Sequence, residues 1–189
     1  ANGMRWLVLP RAGAPTVSFV VRFRVGAVNE ARGQTGIAHL LEHLLFKGTE
    51  TLGTRNVAAE RLLFAGMDAL QDSILALEAG RDTTAIPVLR ERIDSLETEA
   101  GTLVTPNEFE RVLSTNGARG LNASTDWEST TYFVEMPANR AELWFLLESD
   151  QMANPVFREF YTERDIVAEE RRQRVDTNPV GLLFEAHMA

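Results

Sequence analysis

The chain has 189 residues, of which 44% are hydrophobic and 24% charged, so it is long enough and apolar enough to bury one globular core. A net charge of −8 argues against nucleic acid as a partner, and the lack of cysteine excludes disulfides, thiolate metal sites and cysteine nucleophiles. No run approaches the ~18 apolar residues of a membrane span.

Lys47 is the only lysine among 19 basic residues, a bias that reads as genome composition rather than function. No leader segment is visible, and the chain opens on a strand-like phrase, Asn2 to Pro10. Cysteine-free composition fits an exported compartment and the cytosol equally well; the compartment is left unknown, with a bacterial periplasm or other exported space slightly favoured.

Met4 to Leu9 reads as a short strand. Thr16 to Val25 alternates, with Val17, Phe19, Val21, Phe23 and Val25 on one face and Ser18, Arg22 and Arg24 on the other, which predicts a strand with one buried face. Gly26, Gly33 and Gly36 mark the loop that leads into His39-Leu40-Leu41-Glu42-His43. That segment holds two of the three histidines. On a helix each residue advances about 100°, so His43 falls about 40° from His39, and Glu42 about 60° to the other side. Two imidazoles and a carboxylate in one arc suit a catalytic zinc, which needs neutral nitrogen ligands on successive turns and an acid/base beside its open position. The order H-x-x-E-H inverts the commoner H-E-x-x-H string. The remaining histidine, His187, reads as incidental.

Two apolar stripes follow. Leu63, Met67, Leu70, Ile74 and Leu77 are spaced as a heptad seam, and so are Ile86, Leu89, Ile93, Leu96, Ala100 and Leu103. With Ala79 to Asp82 as a turn, they predict an antiparallel helical hairpin over about 55–104 that contributes nothing to a metal site. Pro87 is tolerable only near the first turn of the second helix. Thr105-Pro106-Asn107-Glu108 predicts a helix start, with Thr105 as N-cap, Pro106 in the first position and Glu108 completing a capping box. Gly117 and Gly120 end that helix. Leu121 to Thr125 and Ser129 to Met136 read as strands, the second with Tyr132, Val134 and Met136 on one face. Ala138 to Met152 reads as an amphipathic helix with Leu143, Leu146 and Leu147 inward. Tyr161 to about Val175 reads as a charged helix.

The stretch Gly36 to Thr49, GIAHLLEHLLFKGT, resembles the active-site helix of the pitrilysin family of zinc metallopeptidases, which includes insulin-degrading enzyme and mitochondrial processing peptidase. The resemblance implies that His39 and His43 bind Zn²⁺ and that Glu42 is the general base. The family takes its third ligand from a later helix, a glutamate seven residues after another glutamate. Glu163 and Glu170 have that spacing and share a helix face to within about 20°. By resemblance, Glu170 is the ligand and Glu163 the carboxylate that orients the ligands and tunes their basicity. Glu169 lies about 100° off that face and reads as solvated or paired with an arginine.

Asn116 to Thr125, NGARGLNAST, is similar to the family's glycine-rich turn and the edge strand to which an extended substrate adds. This implies that Asn122, Ala123 and Ser124 hold a substrate backbone and that Phe46 lines an apolar side-chain pocket. Without that resemblance, Asn122 reads as a turn residue and Phe46 as a core phenylalanine. The resemblance covers residues 2–54 and 105–188, interrupted by the hairpin. Family members continue well beyond the third ligand into a second unit of similar fold that encloses the peptide.

The expectation is therefore an α+β fold, a mainly antiparallel sheet packed against helices with an inserted helical hairpin, in one truncated catalytic domain spanning 1–189. The implied function is a zinc-dependent endopeptidase acting on a peptide substrate, with a second homologous domain or partner subunit completing the chamber. Two alternatives stand beside it: a non-catalytic scaffold or assembly subunit, and a zinc-binding fragment inactive without its other half.

Overall fold

The alternating segment near the start forms β1 (Thr16–Phe23) in the computed structural model, which describes residues 3–31 and 33–188. After a 3₁₀ turn at Ala27–Asn29 come α1 (Ile37–Leu45), α2 (Val57–Ala79), α3 (Ile86–Gly101) and α4 (Glu108–Thr115). The strands β2 (Arg119–Thr125) and β3 (Thr130–Pro137) follow, then α5 (Ala141–Ala153), α6 (Phe160–Arg171), a π-helical turn at Arg172–Asp176, and α7 (Pro179–Met188). The fold is α+β.

The sheet is antiparallel with order β1-β3-β2. Its period-2 pattern turns Val17, Phe19 and Val21 of β1, and Tyr132, Val134 and Met136 of β3, toward one face. That face packs on Phe109 and Leu113 of α4 and on Trp144 and Leu147 of α5, where Phe19 and Trp144 stack with ring centroids 3.9 Å apart. β2 is an edge strand. It bulges between Arg119 and Asn122, where Gly120 takes a positive φ of 62°.

The hairpin forms as its stripes predict. Met67 and Ile74 of α2 meet Ile86 and Ile93 of α3, and Tyr161 of α6 joins this second core. Pro87 sits in the first turn of α3. A bridge between Thr54 and Val104 pinches the base of the hairpin, so the insertion enters and leaves the domain at one point.

Four local readings are corrected. Residues 4–9 form no strand, since a strand needs a partner and the alternation does not supply one; Leu7 is 97% exposed, and Asn2 lies outside the described residues. There is no capping box at Thr105. α4 begins at Glu108 behind Asn107 in the left-handed region, and the Glu108 carboxylate accepts from the Gly53 N–H at 2.8 Å instead. On α5, Leu146 is 65% exposed, and Trp144, one turn before Leu147, takes the inward position. Gly117, with φ of 87°, ends α4 as predicted, whereas Gly120 belongs to β2.

Candidate metal centre

α1 carries His39, Glu42 and His43, and its ends are tied down from distant parts of the chain. At the N-terminus the Glu30 carboxylate accepts from the Gly36 and Ala38 N–H groups, both at 2.7 Å, which satisfies free donors and complements the helix dipole. Near the C-terminus the Gln151 side chain of α5 donates to the Leu45 carbonyl at 2.6 Å. Ala38 and Leu44 are buried, and α1 packs between β2 and α6.

The predicted ligands converge. His39 Nε2 and His43 Nε2 lie 3.2 Å apart, and Glu170 Oε2 is 3.9 Å from His39 Nε2. Ligand atoms of all three residues lie within 4.8 Å of one another. A tetrahedral zinc 2.0–2.1 Å from nitrogen ligands separates them by roughly 3.3 Å, so the imidazole pair already has the required spacing. The donor chemistry fits as well: two neutral nitrogens and one carboxylate are a ligand set of catalytic zinc.

The orientation of His43 is fixed from behind. Its Nδ1 lies 2.9 Å from Glu163 Oε2, so Nδ1 carries the proton and, in the neutral ring, Nε2 keeps a free lone pair. Glu163 is buried. Burial alone would raise its carboxyl, but hydrogen bonds from Lys47 and His43 outweigh that and hold it below the ordinary carboxylate value. Glu169 points away and pairs with Arg172 at 2.6 Å; bonds from Arg172 and Gln173 lower its pKa to about 2. Glu170 is half-buried and also meets Arg174 at 3.2 Å.

Glu42 faces β2, where the Thr125 hydroxyl donates to Oε2 at 2.5 Å. Asn122, Ala123 and Ser124 lie on the same edge strand, and the Asn122 side chain accepts from the Ala123 N–H at 2.9 Å. Phe46 is half-buried against the sheet core, near Tyr132 (centroids 5.8 Å apart), and lines a narrow cleft with Trp144 and Glu148. His187, on α7, is not one of the converging ligands.

Four participants were not legible in the sequence: Glu30, Thr125, Lys47 and the pair Glu60–Arg158. Lys47 is not a neutral consequence of composition, because its ammonium reaches Glu163 Oε1 at 2.6 Å and Glu159 Oε2 at 2.5 Å. Arg158 and Glu60 are both 0% exposed. The guanidinium bonds the Glu60 carboxylate and the carbonyls of Lys47, Thr49 and Leu52. Gly48 and Gly53, both at positive φ, let this loop close around it; a Cβ on Gly48 would stand 2.4 Å from the Leu52 carbonyl oxygen. Since Glu60 belongs to α2, the hairpin does contribute to the surroundings of the metal centre, although Asp68, Asp72 and Glu78 are not among the converging ligands. Asp68 instead accepts from the Tyr161 hydroxyl at 2.9 Å.

Two histidines and a carboxylate on α1, a glutamate from α6 and an edge strand whose Thr125 bonds that carboxylate make a ligand set and surroundings that suit a catalytic zinc. The family model described as insulinase (peptidase family M16) matches residues 7–68 and 97–189, and the chain belongs to that family. The internal unmatched part, residues 69–96, falls within the hairpin. The chain is 28% identical over 186 residues to the zinc protease PqqE of Helicobacter pylori, covering 97% of this chain and 30% of that protein. It also matches the crystal structure of a protease from Helicobacter pylori with a TM-score of 0.58 and 26% identity, over 90% of this chain and 29% of that one. The chain thus spans about 30% of the length of these relatives.

Proposed function

We propose that this chain carries the zinc centre of a metalloendopeptidase that hydrolyses bonds in peptides or unfolded segments. The observation that carries the reading is the convergence of His39, His43 and Glu170 beside Glu42. His39 and His43 supply the two nitrogen ligands and Glu170 the anionic third. Zn²⁺ held there supplies Lewis-acid polarisation of a peptide carbonyl and acidifies water. Glu42 takes the proton of the attacking water and passes it to the leaving amine, while the Thr125 hydroxyl holds the carboxylate toward the site. Glu163 keeps His43 in the ligating tautomer.

Asn122, Ala123 and Ser124 bind the substrate backbone by adding it as a further strand to the β2 edge. The Asn122 side chain now occupies the Ala123 N–H and must release it for that donor to serve a peptide. Phe46 borders the apolar cleft beneath this strand. The relatives are more than three times longer than the match, which favours a second domain or subunit that closes over the peptide. On this reading residues 1–189 alone bind zinc but cleave poorly, because positioning and oxyanion stabilisation need the opposite wall.

Cleavage of a fluorogenic peptide by the chain, with and without such a second half, tests the proposal. Glu42→Gln keeps the side-chain shape and removes the proton acceptor, so it should retain zinc and lose about 10²–10⁴-fold in kcat. Near-normal turnover by Glu42→Gln would rule out the proposed base.

A further inference from the structure

The carboxylate behind His43 is shared. Glu163 gives Oε2 to His43 Nδ1 at 2.9 Å and Oε1 to Lys47 Nζ at 2.6 Å. Glu159, the residue just before α6, has left-handed backbone, and its Oε2 meets the same ammonium at 2.5 Å. Like charges at i, i+4 repel, and here one of the two carboxylates is nearly buried. Lys47 stands between them.

Its own position is also held. Lys47 lies one turn beyond His43, its N–H donates to the Leu44 carbonyl at 3.1 Å, and its carbonyl accepts from Arg158 Nη1 at 3.2 Å. The cation of Arg158 is in turn neutralised by Glu60 of the hairpin. A compact ammonium with several donors on a flexible stem can satisfy two carboxylates at once, which suits lysine to the place.

We propose that Lys47 is a positioning residue of the metal centre: its ammonium fixes one oxygen of Glu163 so that the other aligns His43 for the metal. The inference rests on the metal-site reading above, and it extends the support of the ligands to a residue that touches neither metal nor substrate. Without Lys47, Glu163 would face Glu159 uncompensated. It would then turn toward solvent, and that change breaks the bond to Nδ1 that raises the ligand's basicity.

The test uses Lys47→Met and Lys47→Arg in the 189-residue chain, with circular dichroism to verify folding. Zinc affinity is measured by competition with a chromophoric chelator, and the His43 Nδ1–H resonance is followed by NMR in the metal-free protein. Lys47→Met should weaken zinc about 10–100-fold, the typical effect of removing a partner behind a ligand. It should also lose the Nδ1–H signal, while Lys47→Arg recovers most of both. Adding Glu159→Gln to Lys47→Met should restore part of the affinity by removing the repulsion. If Lys47→Met is poorly folded, Lys47→Gln poses the same question. Zinc affinity within twofold of the parent and an unchanged Nδ1–H signal would overturn the proposal, as would equal losses in the Met and Arg variants. A parent chain that binds no zinc would instead overturn the metal-site reading, and the metal-free NMR comparison would still decide the role of Lys47.

Discussion

Replacing Glu60 by glutamine removes one negative charge and almost no volume from a site with no solvent. Arg158 and Glu60 are both 0% exposed, and every N–H of the guanidinium has an acceptor. Nε lies 3.1 and 3.0 Å from the two Glu60 oxygens, Nη2 lies 2.9 Å from Oε2, and the other bonds go to the carbonyls of Lys47, Leu52 and Thr49. Glutamine leaves the cation without a counter-charge and sets an amide NH₂ against a donor. Breaking one side of such a pair costs about 3–5 kcal/mol. Set against a typical domain stability of about 5–15 kcal/mol, that is a large share. Urea unfolding of the metal-free chain should show the midpoint falling at constant m-value. A double variant, Glu60→Leu with Arg158→Met, should recover only part of the loss: no charge is stranded, but the carbonyls of Lys47, Thr49 and Leu52 lose the donor. A Glu60→Gln variant within about 1 kcal/mol of the parent would refute the reasoning.

The Glu148 carboxyl is half-buried beside the apolar cleft, and its loss of solvent raises it from 4.5 to about 7. A carboxyl raised on folding binds protons more tightly in the native state, so stability should fall as pH rises from about 4.5 to about 7, by roughly 3 kcal/mol at most. Glu148→Gln should therefore stabilise the chain at pH 8, make no difference near pH 4, and flatten this part of a stability profile followed by thermal unfolding. At the proposed third ligand, Glu170→Gln should weaken zinc strongly in equilibrium dialysis, whereas Glu169→Gln, which alters only the pairing with Arg172 and Gln173, should leave it unchanged; the reverse order would place the ligand one residue earlier.

What the sequence made legible was periodic or local. The four-residue spacing of His39 and His43, the seven-residue spacing of Glu163 and Glu170, and the heptad seams of α2 and α3 each follow from helix geometry and need no knowledge of what lies opposite. The alternation worked in the same way in β3 and in β1 as far as Val21, but β1 ends at Phe23, and Phe23 and Val25 are exposed rather than on a buried face. Glu163 against His43 could be placed only through the resemblance, since 120 residues separate them. The supports that went unread are pairings between distant segments: Glu30 capping α1, Thr125 on Glu42, Lys47 on Glu163, and Arg158 on Glu60. Nothing in the local pattern around Lys47 or Glu60 sets them apart from an ordinary charged surface.

The misreadings have the same origin. Glu108 has the spacing of a capping box, but the Gly53 N–H claims its carboxylate. Leu146 fits an amphipathic stripe, but the flat face of Trp144 stacks on Phe19, and the buried side of α5 turns to Trp144, Leu147 and Gln151. Residues 4–9 look like a strand by composition, yet a strand is completed only by a neighbour.

The central claim is that His39, His43 and Glu170 hold one zinc ion, and metal content tests it most directly. The chain is equilibrated with zinc, desalted, and assayed by atomic emission against protein concentration. One zinc per chain is expected for the parent and for His187→Ala, and close to none for His39→Ala or His43→Ala, which each remove one of three protein ligands. A parent that retains no zinc, or a His43→Ala variant that keeps its full complement, would contradict the account.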